Sequence, residues 1–451
     1  MSGMYQKILA KYNHQVPRYT SYPPATRLAP PPQAFSYASW LENAHGEISL
    51  YVHIPFCARL CHYCGCNMRV VNTYDPIMDY LTLLKVEIRM VRQHLQKEVV
   101  VSHIHFGGGT PTMLKPADFQ DIMDVIYDEF AVKTDAEISI EGDPRNMSEA
   151  KIATYAKCGV NRVSLGVQDF NEDVMEGVNR PQPFYMTHQT VQLCRDYGLQ
   201  NINFDLMYGL PGQTVEKTRK TIDLAILFKP SRISYFGYAH VPWVKKHMKL
   251  LEGGVPSSKE RFDIQEMGAY MLNQAGYLSI GIDHFVLPDD SMAKACHDHK
   301  LHRNFQGYTT DRAPNLIGFG ASSIGEFTQG YHQNAHDIKT YKEKIEANEF
   351  PTSKILELEK RDFPVKKIVE DLMCYLMVDL SAICTKYELP CTSFDGHILK
   401  LAEMEEDGVV SIIGRVVIVN PEFRVLARVV CAVFDDYSID DDRFQRHAMA
   451  V

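Results

Sequence analysis

The chain has 451 residues, 45% of them hydrophobic and 23% charged, the balance of an ordinary soluble globular protein of two or three domains. A formal net charge of −9 and a pI near 6.1 exclude nucleic acid as a main partner, since phosphate binding needs a basic face. No apolar run approaches the roughly 18 residues that span a bilayer, and Met1-Ser-Gly-Met-Tyr-Gln-Lys7 lacks an apolar signal core, so no membrane association and a cytoplasmic location are expected.

Residues 1–48 are polar and proline-rich and read as an N-terminal arm. Within them Pro17-Arg-Tyr-Thr-Ser-Tyr-Pro23 is a basic and aromatic patch, with prolines at both ends that disfavour helix. From Ser49 a βα rhythm begins. Apolar runs at Ser49–Ile54, Ser102–Phe106, Glu137–Glu141, Arg162–Val167, Ile202–Leu206 and Arg232–Tyr238 predict six buried strands. Helical patterns over Asp75–Arg92, Pro116–Phe130, Ser148–Cys158, Pro183–Tyr197 and Val215–Leu227 separate them, with Asp75 and Ser148 as expected N-caps. Strands alternating with helices imply parallel pairing, and hence a (β/α) barrel or part of one.

A further helix, Ser258–Ala275, and a short run, Leu278–Ile282, lead into residues 283–323. That stretch is rich in His, Asp, Asn and Gly and reads as a loop-rich functional surface. After residue 350 the pattern becomes helix (Ile368–Met377), helix (Ile398–Glu406), hairpin (Gly408–Ile412 and Val416–Val419) and helix (Phe423–Phe434). Residues 351–451 therefore form a small accessory domain, with residues 49–350 as the catalytic domain. A winged-helix arrangement usually points to DNA, but Asp435-Asp436 and Asp440-Asp441-Asp442 oppose that.

In a parallel barrel, ligand groups gather at the C-terminal strand ends. The conspicuous polar residues fall there. The first strand runs into Cys57, Cys61 and Cys64, spaced C-x₃-C-x₂-C, with Cys66 just beyond. The second ends in Gly107-Gly-Gly-Thr-Pro-Thr112, the third in Glu141-Gly-Asp-Pro-Arg145, and the fourth in Gly166-Val-Gln-Asp169, followed by Arg180. The fifth carries Asp205 and Tyr208-Gly-Leu-Pro-Gly212, and the sixth ends in Tyr238-Ala-His240. The glycines either make a tight turn or bring backbone N–H groups against a ligand. Glu141 and Asp205 suit ribose hydroxyls or an amino group, and Arg180 suits a carboxylate. The other seven cysteines are scattered singly and read as inert thiols. Four clustered thiols suit a zinc ion or an iron–sulfur cluster. Set against the usual spacing of zinc ligands, zinc is the weaker of these two readings.

The C-x₃-C-x₂-C motif, with Tyr63 before its last cysteine and a Gly-rich second strand, resembles the radical SAM superfamily. Cys64-Gly-Cys-Asn67 sharpens the likeness to the oxygen-independent coproporphyrinogen III oxidase (dehydrogenase) family. Pro17–Pro23, Phe106–Thr112, Glu141–Arg145, Gly166–Phe170, Asp205–Pro211, Asp283-His-Phe285 and Leu301-His-Arg-Asn-Phe-Gln-Gly-Tyr-Thr-Thr310 match that family's patterns as well. The implied fold is α/β: a partial (β/α)6 radical SAM barrel with an N-terminal arm and a small, mainly helical C-terminal domain.

The resemblance implies that Cys57, Cys61 and Cys64 hold a [4Fe-4S] cluster and that Cys66 does not. Two S-adenosyl-L-methionine (SAM) molecules are expected. Tyr51, Gly108, Glu141 and Ile324 match one molecule's contacts; Tyr63, Gly109, Thr110, Gln168, Arg180, Asp205 and Ala239 match the other's, with Gln306 nearby. A SAM-derived 5′-deoxyadenosyl radical would take a hydrogen from two substrate propionates in turn, each losing CO₂ to leave a vinyl group. No acid–base dyad is expected, because the cofactor carries the hard step. Arg18 and Arg303 are the expected partners of the tetrapyrrole's carboxylates, with Tyr19 on its macrocycle. A low-potential electron donor such as flavodoxin or ferredoxin and a monomeric enzyme are also implied. Where family members often carry an arginine pair, this chain reads Val365-Lys-Lys-Ile368. Competing readings with the same motifs are a radical SAM enzyme of haem degradation or C-methylation, and a haem carrier; carriers usually lack the Cys-Gly-Cys-Asn ending and the arm.

Overall fold

The computed structural model describes residues 3–438 and is organised around one twelve-stranded sheet. Its centre is the anticipated set: β1 (Glu47–Ile54), β2 (Val100–Gly108), β3 (Ala131–Gly142), β4 (Arg162–Gln168), β5 (Asn201–Tyr208) and β6 (Arg232–Gly237). They lie side by side in chain order, each parallel to the next. Helices make the crossovers, as parallel neighbours require. The helix Asp75–His94 shows why. Ile77, Tyr80, Leu81, Leu84, Ile88 and Val91 recur at three- and four-residue steps, and all are buried against the sheet. Asp75 is not its N-cap. Tyr74 holds that position without a side-chain capping bond, and Asp75 is the first helical residue, where its charge favours the positive end of the helix. Ser148 does cap its helix, accepting from the Lys151 N–H.

The hydrogen-bonded order runs from Thr352–Glu357 at one edge to Leu278–Ile280 at the other without closing on itself, so the barrel is partial. A seventh parallel strand, Asn315–Phe319, pairs with β1 and is wholly buried. It lies in the stretch expected to be loop-rich, which also holds the strand His284–Val286, the helix Ser291–His297 and a ribbon pairing His302–Asn304 with Gly307–Thr309. Strands of three to five residues set among polar neighbours leave too little periodicity to read. Antiparallel strands finish both edges.

One buried carboxylate ties the outer strands to the barrel. Glu87, on the helix Asp75–His94, accepts from Tyr341 Oη (2.6 Å), Asn334 Nδ2 (2.6 Å) and the Gly320 N–H (2.7 Å). Burial pushes its carboxyl up to about 7, against the pull of those three donors.

The C-terminal region adds a strand and a helix to the expected pattern. It runs through the helix Asp362–Tyr375, strand Met377–Asp379, helix Leu380–Lys386, short helices Asp395–Lys400 and Ala402–Glu406, the hairpin Val410–Ile413 and Val416–Val419, and the helix Ala427–Val433. Lys366 donates to Glu326 (2.5 Å) and lies over the Tyr331 ring, so this lysine works within the fold. The arm is packed as well. A helix (Gly3–Tyr12) and then Val16, Tyr19 and Tyr22 enter the same apolar core as Ile368, Leu372, Val417 and Phe434. Tyr19 Oη donates to the buried Asp435 (2.9 Å). Asp440–Asp442 lie outside the described residues.

Candidate active site

The ends of the parallel strands open onto one cavity of about 1020 Å³. Cys57, Cys61, Tyr63, Cys64 and Cys66 line it from the loop after β1, and Gly108, Gly109 and Thr110 from the end of β2. Glu141 and Gln168 reach it from the ends of β3 and β4, Arg180 from the segment beyond β4, Asp205 from β5, and Ala239 from just past β6. Two expected contacts lie elsewhere. Tyr51 stands behind the wall, bonded to His53 Nδ1 (2.9 Å) and stacked on His105. Ile324 begins an outer strand opposite Gln333 and packs behind Gly318. Gln306 lines a smaller adjoining cavity of about 160 Å³, which shares Glu141, Ser164 and Asp205 with the large one.

The cysteine loop is pinned at both ends. Phe56–Cys57 pairs with Arg69–Val70, His247 Nε2 bonds the Cys64 carbonyl (2.9 Å), and Lys245 Nζ donates to the Cys66 carbonyl (2.8 Å). Cys61 Sγ lies 3.6 Å from Arg180 Nη1 and 3.7 Å from Arg145 Nη2. Asp143 holds both guanidiniums, at 3.1 Å from Arg180 Nη1 and 2.6 Å from Arg145 Nη2. Burial alone would raise the Asp143 carboxyl, but Arg180 and then Arg145 overcome it and hold it at about 2. Cys57, 3.2 Å from Thr110 Oγ1, is pushed by burial up to about 12, against the pull of that hydroxyl. Cys64 and Cys66 share a thiol hydrogen bond that draws Cys64 down to about 6 and pushes Cys66 up.

Among the described residues no three His, Cys, Asp or Glu side chains are drawn together around a single point. A [4Fe-4S] cubane takes one thiolate per iron, so its ligand sulfurs stand apart. Three thiols on a large cavity, with two guanidiniums beside one of them, fit that group.

The rest of the wall suits a nucleoside and an amino acid. Glu141 accepts from the Gly108 N–H (3.2 Å), and the Gly109 N–H goes to the Ile54 carbonyl (3.0 Å). These two glycines therefore serve the close approach of strand ends and leave no free N–H for a ligand. Gly108 has φ +118°, and a Cβ there would stand 2.7 Å from the His53 ring. Asp205 accepts from Ser164 Oγ (2.9 Å) and Asn203 Nδ2 (2.8 Å). Burial and then the nearby Glu141 push its carboxyl up, and those two donors hold it back. Gln168, at φ +68°, keeps a buried Oε1 without a hydrogen-bond partner, so its amide is set to receive a donor.

Of the expected substrate contacts, only Arg18 lines the cavity. Arg303 donates to the Tyr19 carbonyl (3.2 Å) and lies over the Tyr308 ring, and Tyr19 is turned into the core beneath the arm. Sequence reasoning noticed Asp143 and Arg145 only as part of a motif; their place beside Cys61 depends on β3 meeting the cysteine loop. Lys245 and His247 were missed, and nothing in their segment signalled that it folds back onto the cysteines.

Comparison with known proteins agrees with this geometry. The radical SAM superfamily model matches residues 51–225. An oxygen-independent coproporphyrinogen III oxidase of Bradyrhizobium diazoefficiens is 42% identical, covering 97% of each chain. One from Salmonella typhimurium is 36% identical, covering 98% of each. The solved structure of coproporphyrinogen III oxidase (HemN) from Escherichia coli, a radical SAM enzyme, superposes with a TM-score of 0.88 at 35% identity, covering 93% of this chain and 97% of that one. With such identity sustained over nearly the full length of both partners, this chain belongs to the oxygen-independent coproporphyrinogen III oxidase family of the radical SAM superfamily.

Proposed function

We propose that this chain oxidatively decarboxylates two propionates of coproporphyrinogen III to vinyl groups without oxygen, giving protoporphyrinogen IX in haem biosynthesis. The observation that carries this reading is the meeting of the three-cysteine loop, the strand-end carboxylates and the Arg18 guanidinium in one cavity. When bound, the cluster and SAM would supply the one-electron, hydrogen-abstracting chemistry that this reaction needs.

The protein's own residues bind and orient. Cys57, Cys61 and Cys64 hold the cluster, and Arg145 and Arg180 balance its thiolate charge at Cys61. Cys66 stays off the metal. Glu141, Asp205 and Gln168 receive hydroxyl and amino groups of the cofactor, of which two SAM molecules are bound in this reading. Arg18 is held in the cavity wall with no ion pair among the described residues; Asp283 attracts it and Arg303 opposes it from a distance. A substrate carboxylate gives it a charge-assisted partner.

No helix of the described residues is long and apolar enough to cross a membrane. The reading places the enzyme in the cytoplasm as a monomer served by a low-potential electron donor. Anaerobic incubation with coproporphyrinogen III, SAM and a reductant should yield protoporphyrin after oxidation. SAM cleavage without decarboxylation would reject the substrate, and a Cys66→Ser protein that fails to assemble a cluster would reject the ligand set.

A further inference from the structure

The segment Val241–Leu251 stands out on the surface. Its inner side is fixed: Met248 and Leu251 are buried with Val178 and Leu210, and Lys245 and His247 bond the carbonyls of Cys66 and Cys64. Its outer side is exposed and of two kinds. Trp243, Val244 and Leu250 are 43%, 64% and 69% accessible, apolar side chains that a surface usually hides in such numbers. Lys246 and Lys249 are exposed beside them. Lys245, Lys246 and Lys249 fall within five positions that hold no acid, in a chain with 56 acidic residues against 47 lysines and arginines. The positive ground continues across the cysteine loop. His336, whose carbonyl accepts from Asn67, is exposed and feels the charges of both Lys245 and Lys354, with Asp337 the acid beside it.

We infer that this basic and apolar face is the docking surface for an acidic, low-potential one-electron carrier protein. The inference rests on the functional reading above, since it presupposes a reducible cluster behind the loop. One electron passes from the reduced carrier, which is oxidised by one equivalent, to the cluster, which is reduced by one; no bond forms or breaks. Three arguments favour this occupant. Electron transfer falls steeply with distance, and this is surface that bonds the cysteine loop directly. The patch is opposite in sign to the molecule as a whole, so it steers an acidic partner to one spot. Its few exposed apolar side chains suit the small, short-lived interfaces of redox partners, below about 1,200 Å².

The test uses holoenzyme and reduced flavodoxin as the probe. In Lys246→Glu/Lys249→Glu protein, the rate of cluster bleaching by flavodoxin at low ionic strength should fall about tenfold. Raising the salt should close the gap with the wild type. Binding of oxidised flavodoxin, followed by calorimetry, should weaken in parallel. Bleaching by photoexcited 5-deazariboflavin, which is uncharged, should not change. A Val244→Ser/Leu250→Ser protein should lose flavodoxin binding at every salt concentration. Unchanged flavodoxin rates and affinities in both variants would overturn the docking surface, as would an equal loss with deazariboflavin. A wild-type protein with no reducible cluster would instead overturn the functional reading, and the docking surface with it.

Discussion

Asp143 and Glu87 are both buried carboxylates that accept several hydrogen bonds, yet their electrostatics run opposite ways. Asp143 sits between two guanidiniums and is held at about 2. Glu87 has only neutral donors and is pushed up to about 7. The difference lies in what each cluster is for. Around Glu87 every donor is spent within the fold, so the cluster clamps an outer strand and a helix to the barrel. Around Asp143 the cations exceed the anion by one, and the excess faces Cys61. Positive charge held in reserve beside a thiol marks a site made for an anionic sulfur.

That contrast can be broken at its centre. Replacing Cys61 with alanine should leave no iron or sulfide above background and no turnover; a protein that still assembles its full cluster would remove Cys61 from the ligands. Asp143→Asn leaves two buried guanidiniums facing each other, and about 3 kcal/mol of stability should be lost at pH 7. Because the Asp143 carboxyl is depressed, its contribution is full above the ordinary aspartate range and is lost as pH falls through about 2. Denaturant titrations of variant and wild type should therefore differ at pH 7 and draw together in strong acid.

The Glu87 side sharpens the comparison with the opposite sign. Its carboxyl is raised, so its contribution to stability is full below the ordinary glutamate range and is lost as pH rises through about 7. Glu87→Gln should cost about 2 kcal/mol at pH 5, because the amide oxygen still accepts but the amide nitrogen meets donors in place of the second oxygen. By pH 8 the wild type should have lost roughly 2–3 kcal/mol that the variant does not lose, so the gap should close or reverse sign. A gap equal at both pH values would mean that the folded carboxyl is already ionised at pH 5. The smallest effect is expected at Arg18. Its replacement by alanine should raise KM for the tetrapyrrole roughly tenfold, about 1.4 kcal/mol, with cluster content and unfolding midpoint unchanged.

How much the sequence revealed depends on the range of the interactions involved. The six parallel strands are uninterrupted apolar runs, and the cysteine loop is a local spacing, so both could be read directly. Asn315–Phe319 could not, because five residues carry no period and its neighbours in the sheet are β1 and a hairpin edge. Resemblance drew Tyr51 and Ile324 toward the ligand; Tyr51 bonds His53 behind the wall, and the Ile324 backbone packs against Gly318. Tyr19 went astray for a different reason. An aromatic beside Arg18 on an arm invites a place over a ligand, yet its hydroxyl answers Asp435, some four hundred residues later. The fold-back of Lys245 and His247 onto the cysteine carbonyls has no local signature at all.

The core shared by the arm and the C-terminal region sets an order of events during synthesis. Ile8, Leu9, Tyr12, Val16, Tyr19 and Tyr22 leave the ribosome well before their apolar partners from Val365 to Phe434. Contacts that distant in sequence form late, after the local βα units have already condensed. Residues made early are thus seated late, and Arg18 is carried to the cavity wall with them. Until they are seated, the cavity that the cysteine loop lines lacks the part of its wall that Val16 and Arg18 supply.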